Sequence, residues 1–212
     1  MIPGLRRHAL AWLGRPPGAE TDDDRRRAAG WQDAGRPFVV ARFGDDGGML
    51  RLGFCTVDPR HPELRPRRVA VRAEPSDVTA IDRPPALAAI VAAAAAHPRR
   101  EALARLHDAA SAEGIDLRVY GSWMWQALTG DAHVHALSDL DVLADVADLD
   151  AAARVAAFLA RQETATGLTL DGELHLAGIG DLSWRELRGE APEVLVKTLH
   201  AMRLVPRGAL AR

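Results

Sequence analysis

Cysteine is almost absent from this sequence, and its scarcity excludes two common ways of stabilising a fold. Cys55 is the single cysteine among 212 residues. One thiol cannot form a disulfide within the chain, and it leaves too few ligands for a cysteine-based zinc site. This use of cysteine favours a reducing environment, so we expect a cytoplasmic location.

Long apolar runs and a strong net charge are missing as well. The longest apolar stretch, residues 86–96, consists mostly of alanine and is shorter than the roughly 20 residues that cross a bilayer. The basic N-terminus has an apolar patch that Trp12 interrupts, and it predicts no export signal. The formal net charge is -2. We therefore expect neither a membrane nor a nucleic acid as partner.

Lysine is nearly absent too. Of the 27 basic residues, Lys197 is the single lysine and all the others are arginine. One explanation is that this position needs a compact ammonium, for example to bind a phosphate, rather than a planar guanidinium. The other is that one lysine survived a general drift towards arginine.

The patterns that are present predict an α+β fold with two domains. Residues 36–43 and 49–57 have the composition of strands joined by the turn sequence GDDGG, and residues 67–75 alternate as a third strand. We therefore expect a small β-rich N-terminal domain over residues 1–82. From residue 83 to residue 212 helical and extended patterns alternate, which predicts a mixed sheet flanked by helices.

Within the C-terminal domain, the predicted helices cover residues 86–96, 98–112 and 122–129, and a further helix begins after Asp148 as its N-cap. Strands are predicted at residues 115–120 and 138–146. Residues 167–178 and 181–187 are further strand candidates. Residues 193–205 predict either a terminal helix or a strand followed by a helix.

Two aspartates separated by one leucine stand in the predicted strand at residues 138–146. Asp139 and Asp141 share a face of that strand, where their like charges are costly unless a cation neutralises them. Magnesium prefers carboxylate oxygens, often together with substrate phosphates. Upstream, Gly121 lets the backbone approach a ligand, and Ser122 begins a helix whose N–H groups favour an anion. This arrangement predicts a magnesium-dependent phosphoryl-transfer site, and the alternative is a solvated carboxylate pair.

The same residues carry a resemblance to a known family. Gly121 and Ser122 followed by Asp139 and Asp141 resemble the signature of the DNA polymerase beta-like nucleotidyltransferase superfamily. The segment GSWMWQALTG followed by LSDLDVL is similar to the corresponding segment of the phosphoribosyl-dephospho-CoA transferases of malonate decarboxylase, which are holo-acyl-carrier-protein synthases. RRHALAW and RPFVVAR resemble N-terminal segments of that family, and DGELHL, LSWRELRG and VLVKT resemble C-terminal ones. The resemblance implies that the mixed sheet is nucleotidyltransferase-like.

The resemblance also implies a reaction with its partners and cofactor. A serine hydroxyl of the apo acyl carrier protein subunit of malonate decarboxylase would attack the α-phosphorus of triphosphoribosyl-dephospho-CoA and release pyrophosphate. Asp139 and Asp141 would hold Mg²⁺, while Gly121 and Ser122 would cradle the phosphates that leave. Two alternatives remain. One is another nucleotidyltransferase of the superfamily that uses a nucleoside triphosphate, and the other is a non-catalytic relative that binds nucleotide.

A third carboxylate usually comes from a later strand in this superfamily, and the segment TLDGELHL offers two. We take Asp171 as the third catalytic residue because it follows an apolar stretch as the superfamily pattern expects. Glu173 shares its face if the strand is unbroken, and it is otherwise a candidate for substrate binding. If Asp171 and Gly172 form a hairpin turn, Glu173 takes the place of Asp171.

Four further candidates rest on single residues. Lys197 and Arg68 are candidate contacts for the phosphates of the donor, and a solvated surface position is the alternative for each. His133 and His135 have a spacing that a zinc site could use, but no cysteine lies nearby. We expect both histidines in the loop before the aspartate strand.

Overall fold

The structure is a computed structural model that describes residues 2–42, 47–58 and 66–210. The chain divides into two compact units. The first comprises Met1–Pro84 with the short segments Leu128–His133 and Leu199–Ala201, and the second comprises the rest of the chain. The main division follows Pro84, close to the domain boundary predicted at residue 82. Helices and strands are both abundant and the N-terminal part is β-rich, so the predicted α+β class is confirmed.

An antiparallel five-stranded sheet forms the centre of the first unit. Its strands are β1 Leu10–Leu13, β2 Phe38–Val40, β3 Leu50–Thr56, β4 Arg67–Ala73 and β5 Val78–Asp82. They lie in the order β4-β3-β2-β1-β5. On β3 and β4, the partners Leu52 and Val71 are buried, while Arg68 and Arg72 face outward. The antiparallel pairing of β2 with β3 confirms the predicted hairpin, although residues 44–46 of its turn lie outside the described residues.

One helix of the first unit was missed by the sequence analysis. Helix α1, Asp22–Asp33, begins after Thr21, whose hydroxyl accepts a hydrogen bond from Asp24 N at 3.1 Å. Its first turn is acidic, and these negative charges interact favourably with the positive N-terminal end of the helix dipole. Trp31 near its end is buried with its ring centroid 4.7 Å from that of Phe54. The helix therefore completes the core on this sheet.

A six-stranded mixed sheet forms the centre of the second unit. Its strands are β6 Arg118–Tyr120, β7 Leu140–Val146, β8 Leu170–Leu176, β9 Gly180–Ser183, β10 Glu193–Lys197 and β11 Met202–Pro206. They follow one another in the sheet from β6 to β11, and β7 and β8 are the parallel pair. The helices are α2 Leu87–Ala93, α3 Arg100–Ala112, α4 Gly121–Thr129, α5 Leu149–Thr166 and α6 Trp184–Arg188. In the described ranges, none of the helices combines the length and hydropathy needed to span a membrane.

The two faces of this sheet have opposite character. On one face, Val142 and Leu174 are buried in a core that includes Phe158 of α5. Helix α5 begins where predicted, because Asp148 Oδ1 accepts a hydrogen bond from Ala151 N at 2.7 Å. Residues that alternate with the core residues face the other side, and on β7 and β8 these include Asp141, Asp171, Glu173 and His175. The strand period of two therefore gathers ionisable side chains on the second face.

Two predictions for the C-terminal segments were wrong. Residues 184–188 form α6 rather than the end of a strand, and Trp184 is buried at its start. Residues 202–206 form β11 rather than a helix, because they pair along their whole length with β10. The apolar spacing in this segment is compatible with a helix, but the free edge of β10 supplies a backbone partner for a strand.

The proposed hairpin turn at Asp171 and Gly172 is also absent, since both residues lie inside β8. Gly172 is nevertheless required there. It has φ +152, and a Cβ at this position would lie 2.0 Å from the carbonyl oxygen of Val142 on β7. Glycine therefore permits the close approach of the two parallel strands that carry the acidic residues.

Replacing Gly172 by alanine should destabilise the second unit, because the added methyl group collides with backbone rather than with a movable side chain. We expect Gly172→Ala to lower the free energy of unfolding by about 3 kcal/mol, measured by urea titration with circular dichroism. Gly189→Ala is the matched control, since its Cβ would be 3.5 Å from the nearest neighbouring atom, Glu186 O, which is an ordinary van der Waals distance. Equal urea midpoints for the two variants would contradict this account of Gly172.

Candidate active site

Three aspartates meet at one end of the parallel strand pair. Asp139 directly precedes β7, Asp141 is the second residue of β7, and Asp171 is the second residue of β8. Asp141 and Asp171 are direct partners in the parallel register. Each of the three offers an oxygen, and these oxygens all lie within 4.8 Å of one another. The register of β8 against β7 therefore brings Asp171 next to Asp139 and Asp141, although Asp171 lies about thirty positions later in the sequence.

The chemistry of this aspartate trio suits a hard divalent cation. Three carboxylates at such spacing repel one another, and a bound cation removes that cost. Asp139 and Asp141 are half-buried and Asp171 is exposed, so the site is open on the side of Asp171. Asp171 Oδ1 also accepts a hydrogen bond from Gly172 N at 2.8 Å, which orients its carboxylate. Oxygen ligands of this kind fit Mg²⁺, which keeps some positions for water and substrate phosphates.

Gly121 lies against the trio at the junction of β6 and α4. Its φ is +70, and a Cβ at this position would lie 1.9 Å from Asp141 Oδ2. Tyr120, just before it, pairs with Asp141 across the antiparallel β6–β7 ladder. Glycine is thus required at this position because any larger residue would collide with the Asp141 carboxylate. The sequence analysis gives a second reason, namely that glycine lets a ligand approach the backbone. Ser122 follows in the first turn of α4 and is half-buried.

The structure places Glu173 in a different environment from Asp171. Glu173 is 5% exposed, and its Oε1 accepts a hydrogen bond from Lys197 Nζ at 2.8 Å. Lys197 stands on β10 and reaches across β9 to β8, where Glu173 lies about 7 Å along the strand from Asp171. The carboxylate that joins the aspartate pair is therefore Asp171, and Glu173 is bound to the single lysine of the chain.

A second ionisable pair lies next to Lys197 on the same face of the sheet. The direct cross-strand partner of Lys197 is Asp181 on β9. Asp181 is buried and its Oδ1 lies 2.7 Å from His175 Nδ1. Two ionisable pairs, Lys197 with Glu173 and His175 with Asp181, therefore lie on this face of the sheet. Sequence analysis missed the His175–Asp181 pair, because only the β8–β9 register brings the two residues together.

Arg68 belongs to the first unit. It stands on β4, opposite Cys55, and its side chain is on the exposed face of the five-stranded sheet. The adjacent Arg67 is bound to Asp24, with Nη2 and Oδ1 2.7 Å apart. The role of Arg68 in donor binding stays a prediction.

The two histidines lie in the loop before β7, as expected. His133 is 2% exposed, and neither ring nitrogen has a hydrogen-bonding partner among the described residues. His135 contributes its backbone N–H, which donates to Ser138 Oγ at 3.0 Å. Within the described ranges, the aspartate trio is the one group of three or more side chains that could hold a metal ion. The described part of the chain therefore offers no histidine-based zinc site.

Arg99 is a further residue that sequence analysis did not single out. Its guanidinium donates to the backbone carbonyls of Ala136 and Ser138, immediately before Asp139. The sequence holds no signal for this contact, because Arg99 is one of many arginines and lies far from residues 136–138 along the chain. Only the folded structure brings it to the site.

Comparison with protein families covers nearly the whole chain. Residues 6–84 match the family model described as phosphoribosyl-dephospho-CoA transferase MdcG N-terminal domain. Residues 86–208 match the model described as phosphoribosyl-dephospho-CoA transferase MdcG C-terminal domain. The second match contains the aspartate trio and Lys197. No solved structure matches the chain.

Several curated proteins named phosphoribosyl-dephospho-CoA transferase are similar to this chain. The protein of Xanthomonas axonopodis pv. citri is 39% identical over 212 residues, which covers 96% of this chain and 95% of the relative. The protein of Pseudomonas fluorescens is 31% identical over 202 residues and covers 93% of this chain and 90% of the relative. The similarity thus extends over both units.

The buried ring of His133 predicts a pH dependence of stability. Burial lowers the pKa of His133 below its ordinary value of 6.5, Asp131 opposes this shift and Arg36 adds to it. The unfolded chain therefore binds the proton more readily than the folded one. The resulting contribution to stability is fully present above the unfolded pKa and is lost as the pH falls through it towards the folded pKa.

Replacing His133 by phenylalanine should remove this contribution. We expect the free energy of unfolding of His133→Phe, relative to the parent protein, to rise by up to about 1.4 kcal/mol per pH unit as the pH falls below about 6.5. Urea titrations at a series of pH values measure this difference. A difference that does not change with pH would contradict the assignment.

Proposed function

Because the chain belongs to the phosphoribosyl-dephospho-CoA transferase family, we propose that it modifies the apo acyl carrier protein of malonate decarboxylase. The donor is triphosphoribosyl-dephospho-CoA and the acceptor is a serine hydroxyl of the carrier. The observation that carries the proposal is the aspartate trio next to the Gly121–Ser122 start of α4. Carboxylates that can hold a cation, beside a helix start that favours an anion, suit a transferase of the nucleotidyl-transfer type.

The proposed cofactor is Mg²⁺, held by Asp139, Asp141 and Asp171. The fit rests on the donor chemistry, since three carboxylate oxygens within 4.8 Å form a hard, negatively charged ligand set. When bound, the cation would offset the charge of the carboxylates and of the phosphate oxygens around the reacting phosphorus. Asp171 is the exposed member, so it is the one placed to receive a substrate group from solvent.

The proposed reaction is a substitution at phosphorus. The serine oxygen forms a bond to the α-phosphorus of the donor, and the bond from this phosphorus to the oxygen bridging to the β-phosphate breaks. Pyrophosphate leaves with that oxygen, and the carrier retains phosphoribosyl-dephospho-CoA through a phosphodiester. The hydroxyl proton passes to a carboxylate of the trio. Asp171 is the proposed acceptor, because it is the exposed member of the three.

The leaving phosphates need positive charge and N–H donors. Lys197 supplies a compact cation on the face of the sheet that carries Asp171, and the hydrogen bond to Glu173 fixes its direction. Gly121 and Ser122 supply the backbone at the start of α4, which favours an anion. We propose that Lys197, Gly121 and Ser122 bind the β- and γ-phosphates. Glu173 contributes to this binding by orienting Lys197.

The remaining contacts are proposed from charge alone. Arg68 is exposed on the outer face of the five-stranded sheet. It is our candidate for a contact with phosphates of the CoA-derived portion of the donor.

The carrier protein is expected in the cytoplasm together with this enzyme, in keeping with the single cysteine.

A mass measurement tests the proposed reaction. The protein, Mg²⁺, triphosphoribosyl-dephospho-CoA and the apo carrier protein should together raise the intact mass of the carrier by one phosphoribosyl-dephospho-CoA group. Asp139→Asn and Asp141→Asn should each lower kcat by about a hundredfold or more, because each loses a negative charge at the cation site. Circular dichroism should show that both variants remain folded.

Asp108→Asn is the matched control, since Asp108 lies exposed on α3 and should leave kcat unchanged. An unmodified carrier, together with release of pyrophosphate from ordinary nucleoside triphosphates, would show that the proposed substrates are wrong. Full activity in either variant of the aspartate pair would show that the proposed cation site is wrong.

A further inference from the structure

The chain that leads into Asp139 is a closed turn. His135 N donates to Ser138 Oγ and Ser138 N donates to His135 O, both at 3.0 Å. Ser138 is buried, while Leu137 at the tip of the turn is 91% exposed. The last peptide of this turn connects Ser138 to Asp139. Its orientation therefore influences the direction in which the Cα–Cβ bond of Asp139 points towards the site.

Arg99 fixes this peptide from outside the turn. Its Nη1 donates to Ser138 O at 2.6 Å, and its Nη2 donates to Ala136 O. The planar guanidinium directs two N–H groups at once, and it thereby holds two carbonyls of the turn at a fixed separation. A lysine at this position could bind one of the carbonyls but could not hold both in the same geometry.

The peptide after Asp139 is fixed as well. Leu140 N donates to Thr169 O at 2.8 Å, which is the first hydrogen bond between the β7 and β8 segments. Asp139 thus stands between a carbonyl held by Arg99 and an N–H held by the parallel ladder. Without Arg99, only the second of these two anchors remains, and the carboxylate gains freedom relative to Asp141 and Asp171.

Arg99 is itself anchored to the helix that begins at Gly121. Its backbone N donates to His97 Nδ1 at 3.1 Å. The ring of His97 packs edge-on against Trp123 of α4, with centroids 4.7 Å apart, and Trp123 is buried. The corner formed by His97 and Arg99 therefore links the start of α4 to the turn before Asp139.

We propose that Arg99 is a positioning residue that holds Asp139 in the geometry needed to bind a divalent cation. The inference rests on the proposed function in one respect, namely that Asp139 is a ligand of that cation. Arg99 acts through the backbone of residues 136–138 and does not contact the substrate. A loop-stabilising role alone would affect unfolding but would leave the cation affinity of the folded protein unchanged.

The test measures cation binding without any substrate. Mn²⁺ is titrated into the full-length protein, and free Mn²⁺ is followed by its electron paramagnetic resonance signal. We expect Arg99→Lys and Arg99→Ala to raise the dissociation constant for Mn²⁺ by about 10- to 100-fold, the usual effect of losing a residue that orients a metal ligand. Circular dichroism identifies the folded fraction to which the measurement applies.

Two further measurements sharpen the result. Arg100→Lys is the matched control, because Arg100 is the next residue and is exposed, and it should bind Mn²⁺ as the parent protein does. Guanidinium ion at millimolar concentration should restore part of the Mn²⁺ affinity of Arg99→Ala, because it can refill the space between the two carbonyls. If Arg99→Ala does not fold, Arg99→Lys alone decides the question.

The outcomes separate the two proposals. Folded Arg99 variants that bind Mn²⁺ as tightly as the parent protein would overturn the positioning role and leave the proposed function intact. A parent protein that binds no Mn²⁺ would overturn the cation site itself, and the positioning role with it. Weaker binding in the Arg99 variants, normal binding in Arg100→Lys and rescue by guanidinium would support both.

Discussion

Repulsion between three carboxylates at one end of a parallel strand pair is the constraint on which the second unit depends. Asp139, Asp141 and Asp171 are held together by backbone register, not by attraction between their side chains. The apolar core behind β7 and β8 maintains that register against the repulsion, and Gly172 lets the strands approach closely. The divalent cation that we propose for this site would offset the unfavourable charge of the three carboxylates. Gly121 is required for a steric reason, because a Cβ at this position would lie 1.9 Å from Asp141 Oδ2.

The parts of the site that sequence analysis predicted are those encoded within short segments. The Asp139–Asp141 spacing brings the two carboxylates close together, although Asp139 precedes β7 and the strand predicted from residue 138 begins at Leu140. The N-cap at Asp148 and the alternation on β4 are equally local. In each case a single element contains the whole signal. The family resemblance of the segment between Gly121 and Asp141 is of the same kind, and the family models confirm it over both units.

The parts that sequence analysis could not decide depend on contacts between distant segments. Asp171 and Glu173 share a strand face, and only the register of β8 against β7 shows that Asp171 meets the pair. Strand β11 was expected to be helical because its apolar spacing is ambiguous, and pairing with β10 decided its conformation. Arg99 could not be distinguished from the other arginines until the fold placed it against Ser138.

The central claim is that Asp139, Asp141 and Asp171 bind one divalent cation while Glu173 binds Lys197. Anomalous diffraction from crystals soaked in Mn²⁺ tests this claim most directly. The account predicts a single strong peak with carboxylate oxygens of all three aspartates at about 2.1 Å, the usual distance for a small divalent cation. It also predicts an intact contact between Lys197 and Glu173. A peak coordinated by Glu173 in place of Asp171, or no peak at the three aspartates, would contradict it.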